Sequence, residues 1–194
     1  MRLMRPFALL VAALTALASA NAAPAPVPAR LDQYNVVWNT HSTNSAGSMP
    51  LGNGDIALNA WVEPNGDLRF YIAKCDAWSG DLTGPPYGAY GLIKVGRIRV
   101  SFSPNPFADR ATFSQTLALR DGQMELRGGT PAQPARLLLR VDANHPLIRV
   151  EATTPVAATM RVTLEPWRTE PTEYLAADTI LPAQGDRITW FYRG

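Results

Sequence analysis

The sequence predicts an all-β fold, an antiparallel β-sandwich, and three observations predict it. Apolar and polar residues alternate with a period of two over several short runs. The runs are separated by turn-forming stretches such as Glu63-Pro64-Asn65-Gly66-Asp67 and Asp121-Gly122. Beyond the N-terminal leader, no segment of helical length carries an apolar stripe. Short strands with frequent turns bury one face each by packing sheet on sheet.

Taken in order, the chain starts with a leader. Arg2 and Arg5 form a basic start, Phe7 to Ala18 is an apolar stretch of 12 residues, and Ala18-Ser19-Ala20 or Ala20-Asn21-Ala22 offers a small-x-small cleavage site. Twelve apolar residues are too few to cross a bilayer as a helix. Residues 1–22 therefore read as a secretory signal peptide, and the protein is expected in the periplasm or outside the cell. Ala23 to Arg30, "APAPVPAR", reads as an extended Pro-rich tether. The folded domain is expected over residues 31–194.

Within it, Ile56, Leu58, Ala60 and Val62 alternate with Asp55, Ala57, Asn59 and Trp61, as in a half-buried strand. The turn over 63–67 returns the chain into Leu68, Phe70 and Ile72, which alternate with Arg69, Tyr71 and Ala73. Leu92 to Phe102 is β-rich, with Gly96 marking a bulge. Thr112 to Gly128 forms a second hairpin closed by Asp121-Gly122, and "ARLLLRV" with "LIRVEAT" flanks "DANHP" as a third. "TMRVTLEPW" and "RITWFYRG" complete the strands. If later strands are missing, the last run would leave Trp190 and Tyr192, or Ile188 and Phe191, uncovered.

Composition bounds the function. The chain has 194 residues, 46% hydrophobic and 18% charged, enough for one globular domain with a real core. Of 18 basic residues, Arg2 and Arg5 leave with the signal, so 16 face 16 acidic residues. Such a balance, with no run of like charges, gives no footing for nucleic acid or an acidic membrane surface. Cys75 is the single cysteine, which excludes an internal disulfide and fits a small buried apolar residue. His41 and His145 stand far from each other and from Cys75 in sequence, so neither a metal nor a cofactor is implied.

One stretch departs from the plain sandwich pattern. Past Ile72 the inward row continues into Lys74, Asp76 and Trp78. Unpaired charges are costly to bury, so either the strand twists out and the pair is solvated, or these groups meet polar partners. "SGDLTGPPYGAYG", Ser79 to Gly91, then forms a loop of the kind that carries function on a rigid scaffold. Upstream, Gly52-Asn53-Gly54 is a tight corner. With the hairpin centred near residue 65, Asp76 falls opposite residue 54. Asn53, Asp55, Lys74, Asp76 and Trp78 are thus expected to form one polar-aromatic cluster at the end of the sandwich, with Asn53 and Asp76 in contact or within one bridging water.

"PLGNGDIALNAWV" followed by "LRFYIAKCDAWSG" resembles the opening of the six-hairpin glycosidases related to the family 95 fucosidases. Pro50, Gly52, Asn53 and Gly54 match the first element of that opening, and Trp78, Ser79 and Gly80 match the second. Ala77 stands where that group has Leu, Asp55-Ile56 replaces Arg-Leu, and Lys74-Cys75-Asp76 replaces a Leu-Asn-Glu-like run. The chain is similar to an N-terminal domain of unknown function found in secreted bacterial proteins of this kind. The resemblance implies a large β-sandwich followed by an (α/α)6 barrel that carries the catalytic carboxylates. The 194 residues hold no barrel, so no catalytic residue is carried over.

The chain's own carboxylates offer two pairs for sugar hydrolysis, which needs two carboxyls roughly 5–10 Å apart and one raised pKa. These are Asp76 with Asp81, and Glu165 with Glu170 or Glu173 in "EPWRTEPTEY". Pro166 and Pro171 make the latter segment a loop, and no Gly-x-Ser-x-Gly elbow supplies a serine nucleophile. Two expectations follow: a non-catalytic accessory module packed against a glycosidase-type barrel, or a free-standing module that binds carbohydrate.

Overall fold

A computed structural model describes residues 29–78, 91–166, 168–171 and 176–192. Residues 1–28, where the signal peptide and most of the tether are expected, and residues 79–90, within the expected loop, lie outside the described residues, as do Trp167, residues 172–175 and residues 193–194. The described chain opens with a 3-10 turn, Ala29–Tyr34.

Strands follow in the order β1 (Val36–Trp38), β2 (Met49–Gly52), β3 (Ile56–Val62), β4 (Leu68–Trp78), β5 (Leu92–Ser103) and β6 (Ser114–Ala118). They continue with β7 (Gln123–Thr130), β8 (Gln133–Val141), β9 (Ile148–Thr153), β10 (Thr159–Leu164), β11 (Thr179–Ile180) and β12 (Trp190–Phe191). No α-helix occurs among the described residues. One antiparallel sheet has the order β1-β6-β7-β8-β9 and a second the order β10-β5-β4-β3-β2, while β11 and β12 pair separately. The fold is an all-β, sandwich-like arrangement of antiparallel sheets, as the alternation predicts.

The core lies between the two large sheets. Ile56, Leu58, Ala60 and Val62 of β3 and Leu68, Phe70 and Ile72 of β4 face Leu126 of β7 and Leu137 and Leu139 of β8. Burying each large aliphatic or aromatic side chain contributes about 1.5–3 kcal/mol, so the period of two decides which face turns inward. Phe107 and Phe113, from the β5–β6 connection, are also buried in this core. The His41 Nε2 atom lies 2.8 Å from the Phe107 carbonyl oxygen, and its ring stacks on Phe113 at 4.0 Å.

The three hairpins expected from the sequence are present at β3–β4, β6–β7 and β8–β9. A further strand, β2, precedes Gly-Asn-Gly; Pro50 sits within it because β2 is an outer strand, where a missing N–H costs no ladder bond. The bulge falls beside Gly96: Ile72 pairs with Gly96 but Ala73 pairs with Lys94, which leaves Val95 as the extra residue. The apolar surface left open agrees with expectation at Ile188 and differs from it elsewhere. Trp190, Phe191 and Tyr192 are half-buried, whereas Met160 and Val162 of β10, with Ile180, Leu181 and Ile188, are exposed. Trp190 packs back onto β5 through its indole instead of extending the sheet.

Candidate functional site

The Gly-Asn-Gly corner is the turn between β2 and β3. Gly54 has φ of +94°, a conformation that a side chain would strain. Asn53 caps the turn with its own side chain, Oδ1 accepting from the N–H groups of Asp55 and Ile56 at 2.9 Å each. Its Nδ2 donates to the carbonyl oxygens of Asp142 (2.8 Å) and His145 (3.2 Å) in the β8–β9 turn. The expected contact between Asn53 and Asp76 is therefore corrected. The amide clasps the opposite sheet and has no bond left for Asp76.

Three of the other four predicted residues, Asp55, Lys74 and Asp76, do meet. Ile56 pairs with Lys74, the register anticipated from the turn centre. Lys74 Nζ donates to Asp55 Oδ1 at 2.9 Å and to Asp76 Oδ2 at 2.7 Å, bridging the two carboxylates. Those hydrogen bonds, Asp76 first and Asp55 next, raise the Lys74 pKa, and the same ammonium lowers that of Asp55. Cys75 is exposed, not buried, and its thiol donates to Asp55 Oδ1 at 3.4 Å, which raises its pKa. Past Ala73 the strand leaves its regular pairing until Trp78 meets Leu92. The inward row is thereby broken: Asp76 and Trp78 are exposed, and Trp78 Nε1 donates to the Cys75 carbonyl at 3.1 Å.

Of these residues, Asp76 and Trp78 border an open cleft of about 580 Å³ at the end of β4 and β5, whose other walls include Trp190, Phe191 and Tyr192. The far wall is held from β5. Trp190 Nε1 donates to the Val95 carbonyl at 2.6 Å, and its ring lies over Gly96, where an added Cβ would fall 2.8 Å from it. The bulge at Val95 thus offers a free carbonyl and the glycine offers room. Beside it, buried Arg168 donates to the Lys94 carbonyl at 2.6 Å, pairs with Asp178 at 2.5 Å, and lies 5.4 Å from the Tyr192 ring centroid. Sequence reasoning missed Trp190 to Tyr192 as a wall; three consecutive aromatic residues were the available signal.

The hydrolytic pairs fare differently. Asp81 and Glu173 lie outside the described residues, and Glu170 is exposed. Glu165 lies 3.0 Å from Arg69, 3.1 Å from Arg97 and 2.6 Å from Arg99. Burial alone would raise its pKa, but the bonds from Arg99 and Arg69 outweigh burial and lower it. A carboxylate held ionised by guanidinium groups is unsuited to donate a proton, so of a hydrolytic pair Glu165 fits only the ionised member. Arg99 also reaches Glu63 (2.9 Å) and Asp67 (2.7 Å), and Arg69 reaches Glu63 (2.7 Å). Among the described residues, no group of three or more His, Cys, Asp or Glu is placed to hold a metal ion, and no helix is long and apolar enough to cross a membrane.

A search of curated proteins finds no match. The family model DUF5703_N, described as a domain of unknown function (DUF5703), matches residues 37–186, which span β1 through β11 and the cradle of Asp55, Lys74 and Asp76. A match over that much of the chain decides its membership: this protein belongs to the DUF5703 family, through that family's N-terminal domain.

Proposed function

We propose that this chain is a non-catalytic N-terminal accessory module of a secreted, glycoside-hydrolase-like carbohydrate-active protein, working beside a catalytic (α/α)6 barrel. The observation that carries this reading is the aromatic cleft between Trp78 and Trp190. Indole and phenol rings stack on the apolar faces of sugar rings, and a few fixed polar groups take the hydroxyls. Asp76, which lines the cleft and is held by Lys74 at 2.7 Å, is such a group. Glu165, clamped by arginines, is unsuited to acid catalysis. The resemblance of the Pro50–Gly54 and Trp78 elements to six-hairpin glycosidases supplies the carbohydrate context.

A second reading, a free-standing carbohydrate-binding module, is favoured by the fact that one chain supplies all of these walls. Titrating the purified chain with neutral oligosaccharides, followed by tryptophan fluorescence and calorimetry, tests both. Saturable binding lost in Trp78→Ala and kept in Trp78→Phe is expected. Binding by the isolated chain favours the free-standing module, and binding only when a barrel is supplied favours the accessory one. No binding in either setting would remove the carbohydrate role.

A further inference from the structure

Strand β9 is an outer strand of its sheet, and β8 is its one neighbour among the described residues. The phase of its backbone follows from the turn before it, where the Asp142 N–H donates to the Leu147 carbonyl at 2.8 Å. Bonding direction alternates along an antiparallel ladder. Leu147, Arg149, Glu151 and Thr153 therefore turn their N–H and C=O groups to β8. Ile148, Val150 and Ala152 turn theirs to the free side.

Exposed edges invite pairing, and proteins ordinarily blunt them with brevity, proline or charge. Two of the other outer strands are blunted in this way: β1 has three residues and β2 contains Pro50. Strand β10 is as long as β9 and has no proline, but its one charge, Arg161, has no opposite charge on the strand to meet in a second copy. Strand β9 has six residues, no proline and no break in its pairing with β8. Its exposed charges, Arg149 and Glu151, flank Val150 with opposite signs.

We propose that β9 is a homodimerisation edge, along which two copies of this chain pair antiparallel about a two-fold axis at Val150. In that register Val150 faces Val150 of the second copy, and Ile148 faces Ala152, as hydrogen-bonded pairs that use the free N–H and C=O groups. Arg149 faces Glu151 of the second copy, twice, at the closer non-bonded positions, where opposite charges stabilise a cross-strand pair. Centring the axis on Arg149 or Glu151 would oppose like charges, and centring it on Ile148 or Ala152 would lose both ion pairs. Glu151 is already held by Arg140 of β8 at 2.6 Å, so the charges alternate across the joint: Arg140, Glu151, then Arg149 of the second copy.

Light scattering during gel filtration of the purified chain, with Arg149→Glu and Glu151→Arg variants, tests the assignment. The parent chain is expected to be a dimer. Each variant alone sets like charges opposite and is expected to be a monomer, whereas an equimolar mixture of the two is expected to re-form a dimer. Circular dichroism of each variant establishes that it is folded. Should either variant fail to fold, amide hydrogen exchange on the parent chain decides: the dimer protects the outward N–H groups of Ile148, Val150 and Ala152. A monomeric parent chain, variants that remain dimeric, a mixture that stays monomeric, or fast exchange at those three amides would overturn the proposal.

Discussion

Asn53 holds four backbone groups with one side chain, two in its own turn and two in the turn of the opposite sheet. Removing it leaves two N–H and two C=O groups short of a partner. Asn53→Ala is therefore expected to lower stability by about 1–3 kcal/mol, read from urea unfolding. Asn53→Asp keeps the acceptor side but sets a carboxylate against two carbonyl oxygens, so it should recover little of that loss. A variant as stable as the parent would show that the clasp contributes nothing. Gly96 makes a parallel case by close approach: Gly96→Ala places a methyl 2.8 Å from the Trp190 ring. The ring must lift and its 2.6 Å bond to Val95 must lengthen. A loss of about 1–3 kcal/mol is expected, with a change in tryptophan emission. Both glycines of the corner and the asparagine were legible in the sequence as a tight turn. The partner of Asn53 was not, because Asp142 and His145 lie 89 and 92 positions away, and local pattern carries no trace of so distant a contact.

At the scale of elements, the strands that bury one face were readable and the others were not. The pattern of β3 and β4 held as far as Ile72, since each inward residue is apolar and each turn has its own chemistry. Strand β2 was hidden by Pro50, and the extra residue at Val95 shifted the pairing near Asp76 in a way that counting from the turn does not reveal. The outward face of β4 and β5 was equally hidden, because Arg69, Arg97 and Arg99 read as solvated until Glu63, Asp67 and Glu165 are brought to them. That network yields a pH dependence. The folded pKa of Glu165 lies below the ordinary glutamate value of about 4.3, as do the lowered values of Glu125 and Asp142 below theirs. Such groups contribute stability above the unfolded value and lose it as pH falls through the folded one. The melting temperature should therefore drop progressively below about pH 4.3. Glu165→Gln should cost about 1–3 kcal/mol near neutrality, since three arginines lose a charged partner, and should flatten the acid decline. An unchanged acid limb in that variant would mean that the network is not the origin of the decline.

For the whole molecule, export and the open seam of the sandwich are the two properties left to test. The leader, if cleaved, gives a mature chain that starts after Ala20 or Ala22, and mass spectrometry of the N-terminus reads this directly; a chain beginning at Met1 in the cytosol would overturn it. The seam is a matter of packing. Phe70, Ile98 and Val100 of one sheet and Ile148 and Val150 of the other border a hollow of about 310 Å³, with Val162, Ile188 and Trp190 at its margin. Val162 is 47% exposed and Ile188 39%, so this part of the core is open to water while the packing around Leu126 and Leu137 is closed. Apolar surface left in water is a favourable seat for an apolar ligand, because its burial stabilises by about 25 cal/mol per Å². The folded chain is therefore expected to bind an apolar fluorescent dye at neutral pH, saturably, with energy transfer from Trp190. Dye binding alone would also mark a loosened core, so the near-ultraviolet circular dichroism must be that of a packed protein under the same conditions. Val162→Asp and Ile188→Asp should weaken dye binding several-fold while leaving the melt nearly unchanged, since both side chains already face solvent. Dye binding that appears only as the near-ultraviolet signal is lost would assign it to unfolding, and the seam would then be closed in solution.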